Sequence, residues 1–239
     1  MANTVEALRK SLANYMPSEE VCAELATVTM VPIVGPLAVG KSTCMEMVRA
    51  LDNDFGRVQS FTTRDRREGE AEDEYRWRGH TQEAVDAIAE EVREGQLVQC
   101  VVHPTTGVVY GSDLSDFSHS YTMLDTLSTA VPALRALPFR KMVEMTLVSS
   151  PFMWDIGVAA RSAQVSEDEL EKRIKEGVQS LEWSLEQGGG MAWIKNAFDA
   201  PRQTAEEIIG VARGLREPNP ANRQAGELLL AHIKEVLGG

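Results

Sequence analysis

Gly35-Pro36-Leu37-Ala38-Val39-Gly40-Lys41-Ser42-Thr43 follows the apolar run Val28-Thr29-Met30-Val31-Pro32-Ile33-Val34. This is G-x-x-x-x-G-K-[ST] with a strand before it and a helix after it, the setting that gives the pattern physical meaning. Successive backbone N–H groups of such a loop curl around a phosphate. The helix starting near Lys41 turns its positive dipole end toward the same anion. Leu37, Ala38, Val39, Gly40, Lys41, Ser42 and Thr43 are therefore candidate triphosphate-binding residues. Lys41 would reach the β- and γ-phosphates, and the Ser42 hydroxyl would hold Mg²⁺. A glycine-rich turn with an incidental lysine would satisfy the composition, but not the spacing and the Ser-Thr ending together.

Outward from this loop, apolar and charged runs alternate between strand and helix patterns. Residues 3–27 read as one or two helices, with Val5, Leu8, Leu12, Tyr15 and Met16 at helical spacing. Thr81-Gln82-Glu83 opens a helix whose apolar face is Val85, Ile88, Ala89 and Val92, and Gly95 stops it. Strands are expected at 28–34, 97–102, 108–110, 121–125, 141–149 and 192–196. A helix broken in its first turn by Pro132 is expected over 128–137. Helices are also expected at 166–187, behind the cap Ser166-Glu167-Asp168-Glu169, and at 201–215. Glu217-Pro218-Asn219-Pro220 reads as a linker. Leu228, Leu229, Ile233, Val236 and Leu237 read as one face of a terminal amphipathic helix, a packing or dimerisation element. Strands alternating with helices imply an α/β fold with a parallel sheet covered on both faces, whose ligands sit beyond the strand C-termini.

With 239 residues, the chain suits one α/β domain with small inserted subdomains. Its net charge of −12 argues against general binding to nucleic acid or an anionic membrane, so an anion must be held by a local basic cluster. Arg57, Arg64, Arg66, Arg67, Arg76 and Arg78 form one, interleaved with Glu68, Glu70, Glu72, Asp73 and Glu74. Cys22, Cys44 and Cys100 include no C-x-x-C pair and read as reduced thiols of a cytoplasmic protein. No basic start leads into an apolar stretch, and no run approaches a membrane span.

The segment Ser60-Phe61-Thr62-Thr63-Arg64-Asp65-Arg66-Arg67-Glu68-Gly69-Glu70 resembles the S-x-T-T-R-x-P-R-x-G-E segment of guanylate kinases. Tyr75, Tyr110-Gly111-Ser112 and Leu124-Asp125 follow in that family's order, and the resemblance runs from about residue 28 to 214. It implies a P-loop nucleotide kinase fold using ATP and Mg²⁺ to phosphorylate GMP or dGMP. Its implied parts are an acceptor-binding region at 58–113, a lid at 155–187, core segments at 28–57, 114–154 and 188–215, and extensions at 1–27 and 216–239. It implies that Arg64 and Arg67 hold the acceptor phosphate with Tyr75 and Tyr110. Ser60 and Ser112 would hydrogen-bond the base or phosphate, and Asp125 would act through the Mg²⁺ shell or an acceptor contact. Arg161 and Arg173 resemble lid arginines that spread charge off the transferring phosphoryl group. Asn196 resembles an asparagine near the donor adenine.

Several positions depart from the pattern. The guanine-reading carboxylate falls at Gln99, whose amide offers one acceptor and one mismatched donor to guanine N1–H and N2–H₂. The lid's first arginine is Gly157, the second acid after Asp125 is Leu127, and the proline between the arginines is Arg66. A kinase of the same fold with another phosphorylated acceptor is the alternative that Gln99 raises. A non-catalytic binding module of this fold is a third reading, against which Lys41 stands.

Overall fold

The computed structural model describes residues 2–66, 70, 72–103, 106–163 and 165–238. In chain order, α1 (Ala2–Leu12) and α2 (Glu19–Leu25) precede β1 (Thr29–Val34), α3 (Lys41–Leu51), β2 (Phe55–Arg57), β3 (Phe61–Thr62) and β4 (Arg76–Trp77). Then come α4 (Gln82–Arg93), β5 (Leu97–Val102), β6 (Val109–Asp113), β7 (Tyr121–Asp125), α5 (Val131–Arg135), β8 (Lys141–Met142) and β9 (Met145–Val148). The chain closes with α6 (Pro151–Ser162), α7 (Glu167–Glu186), β10 (Ala192–Lys195), α8 (Pro201–Arg213) and α9 (Ala221–Gly238). The fold is α/β, with a mainly parallel sheet in the order β10-β9-β1-β7-β2, to which β8 adds beside β1, flanked by helices. Among the described residues, no helix is long and apolar enough to cross a membrane.

The chain divides into two compact units. One comprises residues 29–55, 123–137 and 141–239. All six residues of β1 are buried, as a strand covered on both faces requires. The strand expected over 141–149 is interrupted. Thr29 pairs with Lys141 and Ile33 with Met145 in one unbroken register, so the gap at Val143-Glu144 falls opposite Pro32 and its neighbour. Proline has no N–H to give a ladder, which accounts for the break. In this unit α3 packs on α8 and α7 on α9.

The helix α6 is absent from the sequence expectations. Its apolar residues are scattered around the axis, leaving Phe152 and Ile156 exposed while Trp154 is buried, so no stripe announces it. Its start was marked nonetheless: Ser150 accepts the Met153 N–H as N-cap, and Pro151 stands at the first helical position. The terminal helix also differs from expectation. Leu229, Leu230 and Ile233 are its buried face, and Leu228 and Val236 are exposed. Between α7 and β10, Gly188–Gly190 form a single 3-10 turn in open space.

The second unit comprises residues 1–28, 56–122 and 138–140. Its sheet runs β4-β3-β6-β5, with β6 antiparallel to both β3 and β5. The strand expected at 108–110 runs from Val109 to Asp113, and because β3 and β4 are parallel while β6 is not, this sheet is mixed. One face, with Phe61, Val102 and Val109, packs into a core with Val5 and Leu8 of α1 and Val85, Ile88 and Val92 of α4. The other face is set by strand alternation. Thr62 lies opposite Tyr110 and Trp77, and Gln99 opposite Ser112, which places Trp77, Thr62, Tyr110, Ser112 and Gln99 together away from that core.

Candidate active site

The loop between β1 and α3 is held by backbone conformations that its sequence anticipates. Gly35 has φ +144°, and a Cβ there would lie 2.3 Å from the Leu147 carbonyl oxygen. Gly40, the N-cap of α3, has φ +89°. Ala38 adopts a left-handed φ of +65° without being glycine. Lys41 is largely buried and folds back, donating from Nζ to the carbonyl oxygens of Gly35 (2.8 Å) and Pro36 (3.0 Å). Its Nζ also lies 3.7 Å from Asp125 Oδ1, at the C-terminal end of β7. Ser42 is half-buried in the first turn of α3, and Thr43 is exposed. Burial raises the pKa of the next residue, Cys44, to about 11, so that thiol stays neutral near pH 7.

Two more carbonyls of the loop are held by side chains. Asn196 is buried and donates from Nδ2 to the Val39 carbonyl (2.9 Å), while its Oδ1 accepts from Thr204 Oγ1 (3.2 Å). The structure thus places Asn196 beneath the loop as a brace. Trp154 donates from Nε1 to the Leu37 carbonyl (3.0 Å). Two glycines let helices approach the loop closely. A Cβ on Gly157 of α6 would lie 2.8 Å from the Ala38 oxygen, and one on Gly177 of α7 would lie 2.8 Å from Pro36 Cβ. Gly157 thus stands where the backbones of α6 and the loop meet.

Arg161 and Arg173 each lie four residues, about one turn or 6 Å, from one of these glycines on the same helix face. Arg161 is exposed at the end of α6, and Arg173 pairs with Glu169 at 2.6 Å.

In the other unit, Arg64 is engaged on every side. Both terminal nitrogens donate to the Glu70 carboxylate, and the guanidinium lies 5.1 Å from the ring centres of both Tyr75 and Trp77. Tyr75 packs edge-on against Tyr110, ring centres 5.9 Å apart. The Glu70 hydrogen bonds raise the Arg64 pKa above its ordinary value, and burial raises that of Tyr75. Arg76 binds Asp113 and Asp116, Arg78 binds Glu91, Arg57 binds Glu74 and Arg66 binds Glu72. Each described arginine of the cluster thus has a carboxylate partner. Arg67 lies outside the described residues.

Ser60 is half-buried beside β3, and its carbonyl accepts the Arg76 N–H. Ser112 is fully buried, yet its Oγ has no hydrogen-bond partner. An orphaned buried hydroxyl costs about 1–3 kcal/mol unless a ligand meets it. Gln99, half-buried opposite it, is the nearest polar side chain in register.

The structure brings together Lys41, Ser42, Asp125 and Asn196 around the loop in one unit. In the other it brings together Arg64, Tyr75, Tyr110, Gln99 and Ser112. Sequence reasoning missed Trp154 and Gly177, named Gly157 only as the place of an absent arginine, and named Glu70 only as a motif residue and a counter-charge. The Ser150-Pro151 start could have found the helix that bears Trp154 and Gly157.

No family model matches the chain, and no curated protein matches it by sequence. Among solved structures, the chain is similar to a guanylate kinase from Anaplasma phagocytophilum, with 16% identity, a TM-score of 0.46, and coverage of 82% of this chain and 88% of that one.

Proposed function

We propose that this protein is an ATP-dependent nucleoside monophosphate kinase that converts GMP or dGMP to the diphosphate by in-line phosphoryl transfer. The observation that carries the reading is the loop from Gly35 to Lys41, with Lys41 folded onto the Gly35 and Pro36 carbonyls and Asp125 alongside. Lysine and backbone N–H groups there offer the donors that a triphosphate accepts. Mg²⁺ leans on substrate phosphates and one or two protein oxygens, which Ser42 and Asp125 would supply here. The ion, when bound, neutralises charge developing between the β- and γ-phosphates.

The protein's own work is positioning and charge neutralisation. The amides of the loop and Lys41 hold the donor. Arg161 spreads charge off the moving phosphoryl group, with Arg173 joining after release from Glu169. Arg64, Arg67, Tyr75 and Tyr110 hold the acceptor phosphate, and an incoming phosphate dianion replaces Glu70 on Arg64 with the same bidentate geometry.

A second reading, a different phosphorylated acceptor, is favoured by one feature. Gln99 stands opposite the orphaned Ser112 hydroxyl, and neither offers the carboxylate that guanine prefers. ADP formation from Mg·ATP with GMP, dGMP, AMP, CMP, UMP and a phosphosugar separates the two. Guanine acceptors are expected to lead, and a strong preference for any other would replace the first reading with the second. Lys41→Ala should cut turnover by about two orders of magnitude or more with the fold intact. Turnover at the wild-type rate in that variant would remove the site assignment.

A further inference from the structure

The C-terminal helix α9 reaches the phosphate loop through one tryptophan. His232 of α9 lies 2.7 Å from Asp155 Oδ1 by its Nε2, and its ring stands edge-on to Trp154, centres 5.9 Å apart at 88°. Trp154 is 1% exposed, and its indole N–H is committed to the Leu37 carbonyl. The chain His232, Asp155 and Trp154, Leu37 thus runs from the last helix to the middle of the loop.

Peptide planarity gives this contact a consequence. In a trans peptide unit, C=O and the following N–H point in opposite directions. A Leu37 carbonyl pinned toward Trp154 therefore aims the Ala38 N–H the other way. Asn196, pinning the Val39 carbonyl, does the same for the Gly40 N–H. Phosphate affinity of such a loop depends on amides already converging before the ligand arrives. Ala38 holds its left-handed φ unaided by glycine, so an external restraint at this peptide has work to do.

We propose that Trp154 is a positioning residue of the phosphate loop, and that α9 holds it in place through His232, which makes the terminal helix part of the donor-nucleotide site. This rests on the reading of 35–43 as a triphosphate loop. It gives a role to residues 221–238, which lie beyond the segment resembling guanylate kinases.

The test uses the full chain and its variants Trp154→Phe, which keeps the ring and removes the donor, and His232→Ala. Mg·ATP is titrated calorimetrically, and amide hydrogen exchange is followed across 36–42. Trp154→Phe is expected to weaken ATP binding about threefold to tenfold, the range of one hydrogen bond. Exchange in the loop should quicken, while the acceptor KM stays at its wild-type value. His232→Ala should act in the same direction more weakly and add nothing in the Trp154→Phe background. If Trp154→Phe fails to fold, His232→Ala alone decides by the same two readouts. Wild-type ATP affinity and loop exchange in both variants would overturn the proposal while leaving the kinase reading in place. Additive effects would overturn the route through Trp154. No ATP binding by the wild-type chain would remove the phosphate-loop reading itself, and the proposal with it.

Discussion

Arg64 meets its ligand with a carboxylate already in its fork. Glu70 presents two oxygens to the guanidinium in the geometry that a phosphate would use, inside a wall of Tyr75 and Trp77. The pair is largely shielded, so removing one partner leaves a charge uncompensated unless another anion takes its place. Any acceptor phosphate must displace it. Glu70→Gln keeps the shape and removes the charge, and should lower the acceptor KM by about threefold or more. Steady-state kinetics at saturating ATP would measure this; an unchanged or higher KM would mean that Glu70 does not compete for the site. Sequence could name Arg64 but not this state of it, because which acid pairs with which arginine is decided by contacts that no periodicity encodes.

At the level of elements, close approach decides more than amphipathicity. Gly157 sits mid-helix, where glycine costs about 0.5–1 kcal/mol relative to alanine, because α6 touches the loop backbone at that point. Gly157→Ala should therefore forfeit the usual helix gain. Its Cβ, 2.8 Å from the Ala38 oxygen, would push α6 or the loop aside. Net destabilisation of about 1–3 kcal/mol is expected in urea unfolding, together with a higher ATP KM. Greater stability with an unchanged KM would show that the contact is loose. The same physics hid α6 from the sequence: a helix packed by a glycine and one tryptophan, with Phe152 and Ile156 left outside, has no apolar stripe to read. Where burial is simple, reading was easy. The strands 97–102 and 121–125 stand where alternation and apolar runs put them, and α4 begins at the cap Thr81.

Across the molecule, each terminal segment lends one face to a core, through Val5 and Leu8 of α1 and through Leu229, Leu230 and Ile233 of α9. Val5 and Leu8 lie in the same core as Phe61 and Ile88, under the sheet whose opposite face carries Gln99, Tyr110 and Ser112. Leu8→Ala should cost about 2–5 kcal/mol of stability. It should also weaken acceptor binding before donor binding, which parallel thermal melts and ligand titrations would resolve. Equal loss of both would argue against a local effect. The sequence showed that 3–27 is helical and that 221–238 is amphipathic, but not what either covers. An apolar face carries no address, and its partner in each case lies tens of residues away along the chain. The loop from Gly35 to Thr43 was legible for the opposite reason, since its strand, turn, lysine and helix are contiguous.

One corner of the fold stands apart from this crowding. A methyl group built on Gly188, Gly189 or Gly190 meets nothing within 4 Å, and only Gly188 has a positive φ. Position 189 or 190 is consequently a place to hang a dye, through a cysteine introduced on a chain whose half-buried Cys22 and Cys100 have been replaced and whose Cys44 is sealed inside. A fluorophore there would sit in the turn between α7, which touches the phosphate loop, and β10, which leads to Asn196, and would report on both without obstructing either.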